Sequence, residues 1–103
     1  MAKPKTLAAH EIDAALAALP EWKREGGAIR AAYKFASFRD AVAFITRVAF
    51  EAEELNHHPE IANVYNRVSF VLTTHDAGNA VTENDIALAK RISAAARSFL
   101  AAI

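Results

Sequence analysis

The sequence contains no cysteine, and this absence excludes several kinds of chemistry. Without a thiol, the chain can form no disulfide, use no cysteine nucleophile and bind no zinc through sulfur. Glycine and proline number only three each, so few residues mark turns. No apolar run approaches the roughly 18 residues of a transmembrane helix, and no signal-peptide pattern follows the first lysines. We therefore expect a cytoplasmic protein that does not bind a membrane.

Neither sign of charge is in excess, because the sequence contains 12 Lys and Arg and 12 Asp and Glu. A nucleic-acid-binding protein usually carries a basic patch, so this balance argues against DNA or RNA as a partner. Hydrophobic residues make up 53% of the 103 positions. That share suffices for the core of one domain, and we assign residues 1–103 to a single domain.

Hydrophobic spacing in the first third predicts a helix followed by a hairpin. Thr6 is placed to cap the helix, and Pro20 stops it. Its apolar positions recur at helical spacing and are Ile12, Leu16 and Leu19. Around the Gly26-Gly27 pair, residues at even spacing predict two strands, 22–25 and 28–35.

The longest predicted helix begins after Ser37, which has the spacing of a cap because Asp40 follows three residues later. Its predicted apolar face consists of Phe38, Ala41, Val42, Ile45, Val48, Ala49, Ala52 and Leu55, with Phe44 at the border. Pro59 disfavours helical geometry at His58, so the helix should end just before that residue. Phe50 lies on the otherwise polar side, which favours a surface for self-association.

A second hairpin is predicted from strands 61–65 and 68–75, with Asn66-Arg67 as the turn. Thr82 and Asp85 repeat the capping spacing and open the last helix. The predicted order is helix, two strands, helix, two strands, helix. Hairpins between helices favour an α+β fold, a four-stranded antiparallel sheet with three helices packed on one face.

Three of the four histidines are placed at the ends of predicted elements: His57 and His58 at the end of the long helix, and His75 at the end of a strand. Glu53 precedes His57 by four residues, so the two side chains can meet on a helix. Histidine gives and takes protons near neutral pH, which favours acid–base catalysis. A metal site and a purely structural role remain alternatives. Adjacent histidines diverge, however, and the usual helical spacing of metal ligands is absent.

The spacing of these residues resembles the signature of the pterin-4a-carbinolamine dehydratases. The matching positions are Glu53, His57-His58-Pro59, Tyr65, His75 and Asp85. The segments FITRVAFEAE, ELNHHPEIANVYNRV, THD and TENDIALA are also similar to the family. The resemblance covers roughly residues 7–100, and a pattern of fixed positions is far more specific than one histidine pair.

The resemblance implies an enzyme that dehydrates 4a-hydroxytetrahydropterin to the quinonoid dihydropterin and thereby recycles the cofactor of aromatic amino acid hydroxylases. It implies no cofactor and no metal. His57 and His75 would be the catalytic pair, and His58 would chiefly hold the pterin. Glu53 would orient His57 or bind the polar pterin edge. Trp22 aligns with a tryptophan that lines the pocket in relatives, although a core position explains it equally well.

The resemblance also implies protein partners, and the sequence departs from the family pattern at two positions. It implies a homodimer or homotetramer, and an aromatic amino acid hydroxylase is a possible protein partner. The alternatives are a non-catalytic module like the family members that serve a homeodomain transcription factor, or a dehydratase of molybdopterin metabolism. Asn56 and Asn84 differ from residues common in relatives and lie beside the expected pocket. Asp85 matches, but its capping position explains it, so we assign it a structural role.

Overall fold

The computed structural model describes residues 4–100 as three helices packed on one face of a four-stranded antiparallel sheet. The elements are α1 (Ala9–Leu16), β1 (Trp22–Glu25), β2 (Ala28–Lys34), α2 (Phe38–Leu55), β3 (Glu60–Val64), β4 (Arg67–Leu72) and α3 (Glu83–Leu100). The strand order is β1-β2-β4-β3. The predicted α+β class and element order are confirmed. Within these residues, no helix is long and apolar enough to cross a membrane.

The two central strands, β2 and β4, bury alternate side chains because only one face of the sheet is covered by helices. In β4 the buried residues are Val68, Phe70 and Leu72. In β2, Ile29 and Tyr33 are likewise buried. Gly26 and Gly27, between β1 and β2, both have positive φ, 58° and 82°, which a tight hairpin turn requires and glycine accepts most easily.

The apolar face of α2 is rotated from the predicted one. Phe44, placed at the border by the sequence, is fully buried, whereas Phe38 and Val42 are 50% and 41% exposed. The buried residues of this helix are Ala41, Phe44, Val48 and Ala52. The helix lies against both β4 and α3, and their combined surface centres the buried face on Phe44. Periodicity alone does not fix the centre of a broad apolar stripe.

Both ends of α2 follow the sequence prediction. The Asp40 amide donates to Ser37 Oγ at 3.1 Å, which is the expected cap. The helix ends at Leu55, and Asn56 takes the left-handed conformation with φ of 50°. Asparagine tolerates that conformation better than most residues, so the chain can turn sharply before the histidine pair.

Two local predictions are wrong. Thr6 does not cap α1: its backbone forms a bridge with Thr82, and the Glu11 carboxylate accepts the Ala8 amide instead. The second hairpin turns at Tyr65 and Asn66, one residue earlier than predicted, and strand β4 ends at Leu72 rather than His75. The Asn63 side chain holds this turn by donating to the carbonyls of Tyr65 and Arg67.

Candidate active site

The three predicted histidines share one pocket of about 280 Å³, which we call the histidine pocket. It lies where the end of α2, the segment after β4 and the start of α3 come together. Its lining residues are Pro4, Asn56, His57, His58, Thr73, Thr74, His75, Asp76 and Asn84. Asn56 and Asn84, the two departures noted in the sequence, therefore both face the space beside the histidines.

His57 is the most firmly held of the three. Its Nε2 lies 2.6 Å from Asp85 Oδ1, and its side chain is only 11% exposed. Its backbone amide donates to the Ala52 carbonyl, which ties the residue to the last turn of α2. A buried, short contact to a carboxylate fixes the orientation of an imidazole ring and selects which nitrogen carries the proton.

Asp85 is fully buried and uses both carboxylate oxygens. Oδ2 accepts from the Thr82 amide at 2.9 Å and from the Thr74 hydroxyl at 2.8 Å, while Oδ1 faces His57. The predicted capping role is thus confirmed by the Thr82 contact. The sequence does not predict the contact with His57, because the two residues are 28 positions apart. The one signal available was that Asp85 belongs to the same spaced pattern as the histidines.

Helical spacing predicts that Glu53 meets His57, but in the structure Glu53 pairs with His58. Glu53 Oε1 lies 2.9 Å from His58 Nε2, and both side chains are largely exposed. The left-handed Asn56 ends the helix before His57, so the i,i+4 geometry no longer applies there. His57 turns toward Asp85, and the next imidazole occupies the space beside Glu53.

His75 begins a short 3₁₀ turn, His75–Ala77, rather than ending a strand. Its Nδ1 lies 3.3 Å from Asn79 Oδ1, and the side chain is exposed. The turn closes at Gly78 with φ of 73°. His75 therefore lines the histidine pocket from the segment after β4, and its Nε2 is not engaged by the contact with Asn79.

The structure does not bring Trp22 to the histidine pocket. Trp22 is 3% exposed and packs on Phe70 in the core, and its Nε1 donates to Tyr33 Oη and Ser93 Oγ at 3.1 and 3.0 Å. Burial raises the pKa of the Tyr33 hydroxyl, so the phenol stays protonated in this network. The position supports the core alternative, and a role of Trp22 in binding substrate stays a prediction.

Among residues 4–100, no group of three or more His, Asp or Glu side chains is arranged to hold a metal ion. Each imidazole instead has one nitrogen beside an oxygen acceptor: His57 beside Asp85, His58 beside Glu53, and His75 beside Asn79. Within residues 4–100, the second nitrogen of each of these three rings forms no hydrogen bond. Such an arrangement suits proton transfer to and from a small molecule.

Comparison with known proteins shows the family of the chain. The sequence model of the family described as Pterin 4 alpha carbinolamine dehydratase matches residues 5–95. A protein of Opitutus terrae that carries the name pterin-4-alpha-carbinolamine dehydratase is 51% identical over 88 residues, 85% of this chain and 91% of its own. One from Burkholderia cenocepacia with the same name is 49% identical over 92 residues, 87% of this chain and 89% of its own.

Two solved structures share the fold. A transcriptional coactivator/pterin dehydratase from Brucella melitensis has a TM-score of 0.84 and 41% identity, covering 89% of this chain and 99% of that one. A pterin dehydratase-like protein identified as a RuBisCO assembly factor in the alpha-carboxysome has a TM-score of 0.63 and 26% identity. The match covers 74% of this chain and 89% of that one. The chain therefore belongs to the pterin-4a-carbinolamine dehydratase family, whose chemistry is the dehydration of a pterin.

Proposed function

We propose that the protein removes water from 4a-hydroxytetrahydropterin by acid–base catalysis with His57 and His75. The observation that carries this proposal is the histidine pocket itself, which both imidazoles line and in which one nitrogen of each lies beside an oxygen of the protein. Dehydration needs one proton delivered and one removed, and a pair of imidazoles can perform both steps.

The reaction balances without any other reagent. A protonated imidazole donates to the 4a-hydroxyl, the C–O bond breaks, and water leaves. The other imidazole takes the proton from the neighbouring ring nitrogen, whose electron pair forms the new C=N bond of the quinonoid dihydropterin. His57 suits the proton-accepting role, because Asp85 stabilises the imidazolium that forms. His75 then supplies the proton to the hydroxyl.

His58 and Glu53 suit substrate binding rather than proton transfer. Their contact is exposed and His58 lines the pocket, so the pair can rearrange to meet the polar edge of a pterin. The physiological role that fits this reaction is recycling of the cofactor of an aromatic amino acid hydroxylase, a possible partner. The cytoplasmic location stays a prediction from the sequence.

The proposal is tested by the dehydration rate of synthetic 4a-hydroxytetrahydropterin, above the uncatalysed rate, with and without a chelator. We expect full activity in the presence of chelator, because no step uses a metal. Activity that disappears with chelator and returns with zinc would contradict the mechanism. A folded protein without activity would favour the second candidate, a coactivator-like binding module, which the name of the Brucella relative and the exposed face of α2 support.

We further propose that the chain forms a homodimer or homotetramer with a two-fold axis. On α2, Phe50 is 70% exposed, and Phe38 and Val42 are also exposed, which is unusual for a small domain that functions alone. Strand β3 is one of the two outer strands of the sheet and is exposed along its length, so its outer edge can pair with a second copy.

Phe50→Glu should shift the mass measured by light scattering toward monomer, because a carboxylate cannot be buried cheaply in an apolar interface. Circular dichroism should show unchanged helix content. Ser98→Glu, which adds the same charge at an exposed position of α3, should leave the mass unchanged. A wild-type chain that is monomeric at a concentration of hundreds of micromolar would refute self-association.

A further inference from the structure

We propose that Asp85 is a positioning residue that fixes the tautomer of His57, with the proton on Nε2 and the reactive lone pair on Nδ1. The inference deepens the proposed function, on which its catalytic part rests. It is carried by the hydrogen bonds around the buried carboxylate, where each available proton can be assigned to one donor.

The first step concerns Oδ2 of Asp85, which is fully occupied. It accepts from the Thr82 amide and the Thr74 hydroxyl. A threonine hydroxyl has a single proton, and Thr74 uses it on Asp85. The 2.6 Å contact between the hydroxyls of Thr74 and Thr82 therefore has Thr82 as donor, and Thr82 Oγ1 in turn accepts from the Asn84 amide. Every donor in this series of hydrogen bonds is directed toward Asp85.

The second step concerns Oδ1, whose partner is His57 Nε2 at 2.6 Å. An ionised carboxylate can only accept, so with Asp85 ionised the proton shared at Oδ1 comes from the imidazole. Neutral His57 is thus held as the Nε2–H tautomer, and Nδ1 is its basic atom. When Nδ1 takes a proton from substrate, the resulting imidazolium is already paired with a carboxylate that is 0% exposed.

Asp85→Asn gives a sharp test because asparagine has one acceptor oxygen where aspartate has two. The two donors at the Oδ2 position require that oxygen, so the amide NH₂ is turned toward His57 Nε2. The NH₂ group can only donate, and Nε2 must then accept. We therefore expect the variant to invert the tautomer of His57 and move its proton to Nδ1.

The direct measurement is the ¹⁵N spectrum of imidazole-labelled protein, recorded where His57 is neutral and assigned with His57→Gln, which removes the His57 signals. Wild type should show a protonated Nε2, and Asp85→Asn a protonated Nδ1. The variant's kcat should fall by on the order of 10²-fold or more, with KM changed only a few-fold, because a positioning residue affects the proton transfer and not the binding of the pterin.

Thr74→Val is the matched control for the tautomer. It removes one hydrogen bond to Asp85 but leaves Oδ1 and His57 unchanged, so it should lower stability while wild-type protonation of His57 is kept. An unchanged tautomer in Asp85→Asn, or an inverted one with unchanged kcat, would overturn the proposal.

Two further outcomes are decisive. If Asp85→Asn does not fold, the ¹⁵N spectrum of the wild-type protein tests the assignment by itself. A proton on Nδ1 of His57 would overturn the assignment, and a proton on Nε2 would support it. An inactive wild type with the expected Nε2–H tautomer would contradict the proposed function and leave the positioning by Asp85 intact.

Discussion

Replacement of either His57 or His75 by alanine should lower the kcat of pterin dehydration by on the order of 10²-fold or more. Each imidazole carries one of the two proton transfers, and general acid–base catalysis contributes about this factor for each group. The two losses should not multiply in the double variant, because the proton delivered and the proton removed belong to one concerted pair. Steady-state kinetics on the synthetic substrate, corrected for the uncatalysed reaction, measures the effect.

Two controls separate catalysis from binding and folding. His58→Ala should mainly raise KM, since His58 is proposed to hold the pterin. Alanine at position 57 leaves Asp85 Oδ1 buried without a donor, which lowers stability. His57→Gln retains a donor and should be as inactive as His57→Ala while unfolding less easily. Turnover within a few-fold of wild type in both His57 and His75 variants would refute the catalytic pair.

Phe44→Ala should lower the free energy of unfolding by about 3–5 kcal/mol, the range for removal of a buried phenylalanine. Phe44 is fully buried at the centre of an aromatic cluster. Its neighbouring rings, with centroid distances of 4.7 to 5.9 Å, are those of Phe35, Tyr33, Phe70 and Phe99. Four rings cannot collapse together into the space that one ring leaves, so most of the cavity should persist.

Denaturant unfolding at one fixed protein concentration measures this loss, because self-association would make stability depend on concentration. Phe44→Leu keeps most of the side-chain volume and should lose well under half as much. Equal losses in the two variants would show that the site relaxes around the smaller residue and that the cluster is not closely packed.

The sequence predicted the features that depend on neighbouring residues. The cap of α2 at Ser37, the turn at Gly26-Gly27 and the end of α2 before the histidine pair all follow from a few adjacent positions. The element order followed from the same local patterns. The histidines were candidates for acid–base catalysis from their residue type and placement, and the resemblance to a known family then gave each of them an expected role.

The features that depend on contacts between distant elements were not predictable. Glu53 and His57 have helical spacing, yet His57 turns toward Asp85, which only the packing of α3 beside α2 brings near. The buried face of α2 was misplaced for the same reason, because its centre depends on where two other elements lie. The sequence predicts a capping role for Thr6, but its backbone forms a β-bridge with Thr82.

The strand order also governs how quickly this fold can form. Each hairpin, β1–β2 and β3–β4, joins neighbouring residues, whereas the central pair β2–β4 joins strands separated by the whole of α2. Contacts between residues distant in sequence slow folding because the intervening loop must close first. The 18-residue helix shortens that loop once it forms. Helix formation in α2 should therefore limit the rate at which the two hairpins dock. The histidine pocket is completed only after that docking.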